Sequence, residues 1–480
     1  MIREFSISLI LALALLDGST AMAAAADASA NIRKSDSSDR ESIGLTIYNS
    51  NRALVSEVRR VKLPDGLVEL WFQDVAASIM PETVAIRRLS GASFSVLEQN
   101  YEYDLLSPQK LLEKYLDHEV VLVRYRREKE TTIEDRTLAR LLSTNNGTVW
   151  QVEDRIIVNP PYAYLEFPEL PENLYSRPTL VWLLDAQSGE ARVRTSYLTG
   201  DMTWQADYVF TLSADDSQGD LLGWVTIDNR SGAHYENASL KLIAGDVRTV
   251  GPELLRLEAS RARAVADETG FREKEFFEYH LYTLQRPATL NDRQQKQIEL
   301  LRAPGFGVEK EFILRGQRWY YRREQSGDTK PKVAVAVRIE NSAKNGLGMP
   351  LPKGTVRVYK NDDDGSALFI GEDKIDHTPK DEEIVLTLGN AFDVAASRKQ
   401  TDYRIVRKCV QESAYEISLR NHKKDPIVVR VIEPVGGDWK ILTHTHPYEK
   451  KDAFTVEFPV LVEANAESIL TYRVRSKFCD

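Results

Sequence analysis

The segment running from Met202 through Thr203, Trp204, Gln205, Ala206, Asp207, Tyr208, Val209 and Phe210 to Leu212 restricts the fold more than any other. On an extended chain Trp204, Ala206, Tyr208 and Phe210 share one side, and Thr203, Gln205 and Asp207 share the other, because strand side chains alternate with a period of two. A helix would scatter those rings around its circumference. The aromatic face therefore requires a sheet with a core against it.

Alternation of this kind recurs along the chain. Leu45 to Tyr48, Leu54 to Val61 and Leu67 to Phe72 read as strands, the last two joined through Pro64-Asp65-Gly66, where proline and glycine supply turn dihedrals. Three stretches repeat one design, in which a strand closes on Asn and a second strand follows a polar loop. They are Trp224 to Asn229 before Leu240 to Ile243, Val335 to Asn341 before Val356 to Tyr359, and Tyr415 to Asn421 before Ile427 to Val431. Asn closes strands by side-chain bonding and tolerates left-handed dihedrals. Strands at these intervals predict an all-β protein of multiple immunoglobulin-like β-sandwich domains.

A different pattern interrupts the series. Ser107-Pro108 caps a short helix with Leu111, Leu112, Tyr115 and Leu116 on one stripe. Five strand-like runs follow, Glu119 to Tyr125, Arg136 to Leu142, Thr148 to Val152, Arg155 to Val158 and Ala163 to Phe167, with a tight turn at Asn145-Asn146-Gly147. This spacing predicts a small barrel of the SH3 or Sm type. Residues 253–269 break the strand pattern with crowded charge and read as an inserted helix or variable loop.

With 42% apolar residues, 20 Tyr and 7 Trp among 480 residues, the chain can fill several cores. The expected organisation is a signal peptide at 1–26, a disordered linker at 27–43, an N-terminal β domain at 44–106 and the helix-plus-barrel domain at 107–170. A central β-sandwich follows at 171–325, with its insertion at 252–270, and then a C-terminal β-sandwich at 326–480. The leader reading rests on Arg3, the apolar run Ile7 to Leu16 and the cleavable Ala21-Met22-Ala23, and it predicts a periplasmic or secreted protein. That run is shorter than the roughly 20 residues needed to cross a bilayer, so no transmembrane segment is expected. Cys409 and Cys479 are the only two cysteines. In an exported chain they form either a disulfide or two buried thiols.

A net charge of −9 argues against a nucleic-acid partner, which needs a basic excess. His444-Thr445-His446 puts two imidazoles on one strand face, a spacing that ligates metal only if further ligands converge; Glu449 is the nearest carboxylate. Asp362-Asp363-Asp364-Gly365 fails the spacing of an EF-hand and reads as a solvated hairpin turn. Asp201 and Asp207 near Trp204 resemble a sugar-cleaving carboxylate pair, yet alternation sets Trp204 and Asp207 on opposite faces. Basic residues cluster at Arg124, Arg126, Arg127 and Lys129, and again at Arg318, Arg322 and Arg323 beside Trp319, Tyr320 and Tyr321. Such groups bind anions or protect strand edges. No nucleophile elbow, phosphate loop or HExxH helix is present, so no catalytic residue, metal site or cofactor is assigned.

Several motifs in order carry a family likeness. They are Tyr197 through Tyr208, with its Trp204-x-x-x-Tyr208 core, Leu240 to Val250, Pro350-Leu351-Pro352-Lys353-Gly354-Thr355 running on to Tyr359, Gly371-Glu372-Asp373, His377-Thr378-Pro379 and Gly436-Gly437-Asp438-Trp439. On these the chain resembles the mucoidy-inhibitor-like family, with its domain of unknown function 4139, over roughly residues 180 to 480. The resemblance implies an exported, β-rich bacterial protein linked to envelope or exopolysaccharide phenotype, with no established catalytic residues to carry over. The chain lacks the sustained heptads of the longer relatives. The expectation is a non-catalytic protein binding a cell-envelope component, exopolysaccharide or partner protein through loops at sandwich ends. The alternative is an envelope-polymer hydrolase using an unrecognised carboxylate pair or metal site.

Overall fold

The computed structural model describes residues 31–478 except 103, 129–130, 172–173, 246–270, 278 and 363. The expected signal peptide, the insertion at 252–270 and Cys479 lie outside the described residues. The chain opens with strands β1 (Asn31–Ser35), β2 (Arg40–Tyr48), β3 (Arg52–Leu63), β4 (Gly66–Gln73), β5 (Ala85–Gly91) and β6 (Phe94–Glu102). Helix α1 (Pro108–Lys114) then precedes β7 (Glu119–Glu128), β8 (Thr131–Ser143), β9 (Val149–Val152), β10 (Arg155–Val158) and β11 (Tyr164–Glu166). Next come β12 (Thr179–Ala186), β13 (Gly189–Thr199), β14 (Met202–Leu212), β15 (Gln218–Asn229) and β16 (Tyr235–Ala244). They are followed by β17 (Phe271–Phe276), β18 (Tyr279–Leu284), β19 (Ala288–Leu290), β20 (Gln294–Arg315), β21 (Asp328–Thr329) and β22 (Lys332–Asn341). The remainder is β23 (Gly354–Asn361), β24 (Ala367–Ile375), β25 (Glu382–Arg407), β26 (Val410–Asn421), β27 (Ile427–Pro434), β28 (Asp438–His444), β29 (Glu449–Lys450), β30 (Thr455–Val462) and β31 (Glu467–Lys477). The protein is all-β.

The largest core takes residues from every sheet except the small one that follows α1. Val68, Leu70 and Phe72 of β4 and Leu180, Trp182 and Leu184 of β12 belong to it together with Val55, Val61 and Leu63 of β3, and it continues through Trp204, Tyr208 and Phe210 of β14 to Leu386 of β25. The alternation read in β14 is present: Trp204, Ala206, Tyr208 and Phe210 are buried, while Gln205 is exposed. A second core joins Phe312 and Leu314 of β20 to Tyr415, Ile417, Val429, Phe458 and Tyr472. Strands β20 and β25 are long enough, at 22 and 26 residues, to enter both.

The largest core runs across the divisions expected near 170 and 325, and the second core also spans the latter, while the segment before 170 keeps a small core of its own. Past the proline-rich stretch, β12 returns to pair with β4 and β6, and β13 pairs with β3 and β5. Residues 105–167 are thus inserted into the N-terminal layers. In that insertion α1 and five strands stand as the spacing predicted, with Ser107 accepting the Lys110 N–H as cap, and the strand order is β10-β9-β8-β7-β11. Their own small core surrounds Tyr115, Leu122 and Trp150. The expected linker at 27–43 is also corrected: Asn31–Ser35 pairs in parallel with Val68 to Phe72 of β4, and β2 begins at Arg40. Main-chain pairing holds β1 in place without an apolar pattern of its own.

The three repeated Asn positions explain how the layers interlock. Asn229, Asn341 and Asn421 are all buried, and none lies in the left-handed region. Asn229 Nδ2 donates to the carbonyls of Ala233 and Asn291, Asn341 Nδ2 to those of Met349 and Pro379, and Asn421 Nδ2 to those of Asp425, Val462 and Glu463. Each Oδ1 accepts a backbone N–H of its own loop, from Ser231, Gly348 and Lys423 respectively. Each amide thereby satisfies main-chain groups that a buried crossing would otherwise leave unpaired. After each crossing the chain enters a strand that pairs in parallel with an older one: β16 with β2, β23 with β14 and β27 with β20.

Candidate binding surface

Against the second core the main chain leaves β20 through Arg315 and Gly316 and forms a short 3-10 turn, Arg318–Arg322. Its sequence puts two rings inside and one outside: Tyr320 and Tyr321 are buried, while Trp319 is 44% exposed. The inward rings meet a polar cluster closed to water. The Tyr321 hydroxyl donates to Glu433 Oε2 at 2.6 Å and lies 2.8 Å from the Tyr472 hydroxyl. Glu433 Oε1 is paired with Arg398. The Arg398 guanidinium lies 4.5 Å from the ring centre of Tyr320 and 5.2 Å from that of Tyr415. The Tyr415 hydroxyl donates to the Tyr320 carbonyl at 2.5 Å, and Gln325 Nε2 donates to the same oxygen. Burial raises the phenols of Tyr415 and Tyr472 to about 12 and that of Tyr321 well above its ordinary value. The rings stay neutral hydrogen-bonding groups. Gly316 is required here, since a Cβ would stand 2.1 Å from Glu433 Oε2.

This cluster fixes what the turn shows to solvent. Arg323 stacks over Trp319 at 4.8 Å, Arg318 lies 5.9 Å from the ring of Phe454, and Arg322 lies 5.2 Å from that of Phe478. Phe454 is itself 47% exposed. Next to it, Trp439 donates Nε1–H to the Ala453 carbonyl and carries Lys450 over its ring. A cleft of about 540 Å³ is lined by Gln317, Arg318, Trp319, Arg322 and Pro434. Among the described residues no ion pair engages Arg318, Arg322 or Arg323. Guanidinium groups pair bidentately with carboxylates and phosphates and stack on flat rings. An exposed indole offers an apolar face to a sugar ring. The arrangement is chemically suited to an extended polyanion with flat units.

The other sequence candidates are engaged elsewhere. Arg126 reaches Glu128 at 3.9 Å, and Arg124 to Glu128 continue β7 beyond the three residues that β11 covers, which is the edge-protecting role. Lys129 lies outside the described residues. His444 Nδ1 donates to the His446 carbonyl at 2.8 Å, and His446 faces Thr445 and Ser468. Glu449 pairs with Lys451. Among the described residues no three His, Cys, Asp or Glu side chains are placed to hold a metal ion. Asp362, Asp364 and Gly365 lie in the turn between β23 and β24, closed by the Gly365 N–H on the Asp362 carbonyl. Asp201 accepts from Ser78, and Asp207 is held by Thr226 and Arg357, so the two acids serve separate contacts. Cys409 occupies the turn between β25 and β26 with φ at 63°.

A cleft of about 550 Å³ beside α1 mixes Lys114, Asp117, His118, Glu119 and Arg140. Lys114 is paired with Asp104, and the Tyr115 ring is buried. It shows no consistent charge, and its one exposed ring, the imidazole of His118, packs edge-on against Tyr115. The run Arg318 to Arg323 was visible in the sequence, but Phe454, Pro434, Arg398 and Glu433 were not, because nothing local marks residues that meet only across strands. No protein-family model matches the chain, and no curated protein matches it.

Proposed function

We propose that this is a non-catalytic binding protein of the cell envelope, periplasmic or secreted, whose arginine and aromatic surface takes an acidic envelope polysaccharide. The observation that carries this reading is the trio Arg318, Arg322 and Arg323, none in an ion pair among the described residues, though Asp452 lies within the field of Arg318, and set around the exposed Trp319 on a turn held by a buried network. The leader-like N-terminus and the resemblance to the mucoidy-inhibitor-like family support the envelope setting. Affinity electrophoresis of the full chain tests it, with a polyuronate in one gel, neutral dextran in a second and RNA in a third. Retardation by the polyuronate alone is expected, and Trp319→Ala with Arg322→Ala should abolish most of it. Equal mobility in the polyuronate and dextran gels, stronger retardation by RNA, or an unchanged double variant rejects the reading.

A further inference from the structure

Strands β25 and β26 meet in a turn whose chemistry is unlike that of an ordinary solvated hairpin. The ladder slips just before it: Ile405 faces Gln411 and Arg407 faces Val410, leaving Val406 as an extra residue. Bulges of this sort re-aim side chains. Here two successive aliphatic residues are left in water, Ile405 at 68% and Val406 at 47% exposure. Turn tips normally carry polar residues, and free strand edges carry charge. Edge protection explains the neighbouring cations but not this apolar pair.

The surroundings are basic. Arg407 and Lys408 follow the pair directly, and Lys477 at the end of β31 lies opposite Val410 on one side and the exposed Asp438 on the other. Among the described residues no ion pair engages Arg407, Lys408 or Lys477, whereas Arg404 is held by Glu412. An exposed aliphatic tip flanked by cations is the makeup of an interfacial anchor: aliphatic side chains enter the boundary between headgroups and acyl chains while lysine and arginine sit over anionic headgroups. We infer that the β25–β26 turn is a peripheral anchor for an anionic phospholipid bilayer. Ile405 and Val406 insert, and Arg407, Lys408 and Lys477 supply the charge complementarity. This stands apart from the polysaccharide reading, since it uses different residues and a different ligand.

Sedimentation of the full chain with vesicles, free of any polysaccharide, tests it. Binding to equal parts phosphatidylglycerol and phosphatidylcholine is expected, with little binding to phosphatidylcholine alone and weakening in high salt. Arg407→Ser with Lys408→Ser should lower the partition coefficient roughly thirty-fold, from two surface cations. Ile405→Ser with Val406→Ser should also release the protein, while Trp319→Ala with Arg322→Ala should leave vesicle binding intact. In a separate measurement Ile405→Trp should add a fluorescence component that shifts to the blue on anionic vesicles. Indifference to lipid charge, binding unaffected by either tip pair, or a tip indole whose emission does not move overturns the inference. The polysaccharide proposal is untouched by any of those results, because its gels contain no lipid.

Discussion

Two buried arginine–glutamate pairs, one beside the largest core and one in the second, are held in different ways. In the N-terminal layers Arg59, fully buried, donates to the main-chain carbonyls of Ser35 and Gln73 at 2.9 and 2.8 Å as well as to Glu57, which also holds Arg40. In the second core Arg398 is satisfied by side chains: Glu433 and the faces of Tyr320 and Tyr415, with Nη1 making no hydrogen bond. A guanidinium bonded to backbone ties strands together, here β1 to its neighbours. One bonded to side chains instead sets the position of other side chains, and the 3-10 turn is what those side chains support. The first arrangement belongs to the scaffold and the second to the surface it displays.

Removing the arginine from each pair gives the largest expected effect. Arg398→Met leaves the buried Glu433 carboxylate without a cation and should lower unfolding free energy by about 3–5 kcal/mol in denaturant titration, and Arg59→Met, which leaves Glu57 with Arg40 but takes the donor from the Ser35 and Gln73 carbonyls, should cost about 2–4 kcal/mol. The consequences should then diverge. Arg59→Met should speed hydrogen exchange in residues 31–35 and leave polyuronate retardation as it was, whereas Arg398→Met should abolish retardation and leave β1 protected. Loss of retardation in both, with the fold retained, would erase the distinction. Asn421→Ala comes next: it deprives three carbonyls and the Lys423 N–H of a buried partner and should cost about 1–3 kcal/mol by the same titration. Gly316→Ala sharpens the contrast at smaller scale. Its methyl group enters the space of Glu433 Oε2, and about 1–3 kcal/mol of overpacking should be accompanied by weakened retardation.

The smallest effect is one of pH. Phenols of ordinary value near 10 are raised by burial to about 12 in Tyr415 and Tyr472. The unfolded chain thus ionises first on the alkaline side. Stability from the neutral rings is complete below pH 10 and is lost as pH rises from 10 through 12. Tyrosinate absorbance should lag behind that of denatured protein over this window, and Tyr415→Phe with Tyr472→Phe should remove part of the lag.

What could be read from the chain beforehand follows from which forces are local. The face-to-face alternation of Met202 to Leu212 and the capped helix at Ser107 depend on neighbours a few residues apart, and both stand in the structure. The recurrent Asn closures were legible as a pattern, but their role as buried caps was not, since Asn229 reaches Asn291 and Asn341 reaches Pro379 only after folding. Strand β1 escaped detection because its stability comes from main-chain bonds to β4 and from Arg59, neither of which leaves an apolar signature in Asn31 to Ser35. Prolines before β12 suggested a boundary because they end strands, and they do close the small core of the insertion, but the largest core resumes on both sides of it. In the surface run Arg318 to Arg323 the residue types were evident. Which ring faces water was decided by Glu433 and Tyr472, both more than 100 positions away.

Handing each return strand to an older neighbour, as β16, β23 and β27 do, has a topological price. Cutting one crossing loop releases no detachable module, because the strands on either side of the cut remain hydrogen-bonded to different neighbours in the sheets. Proteolytic nicking should accordingly yield fragments that stay together until the whole assembly melts.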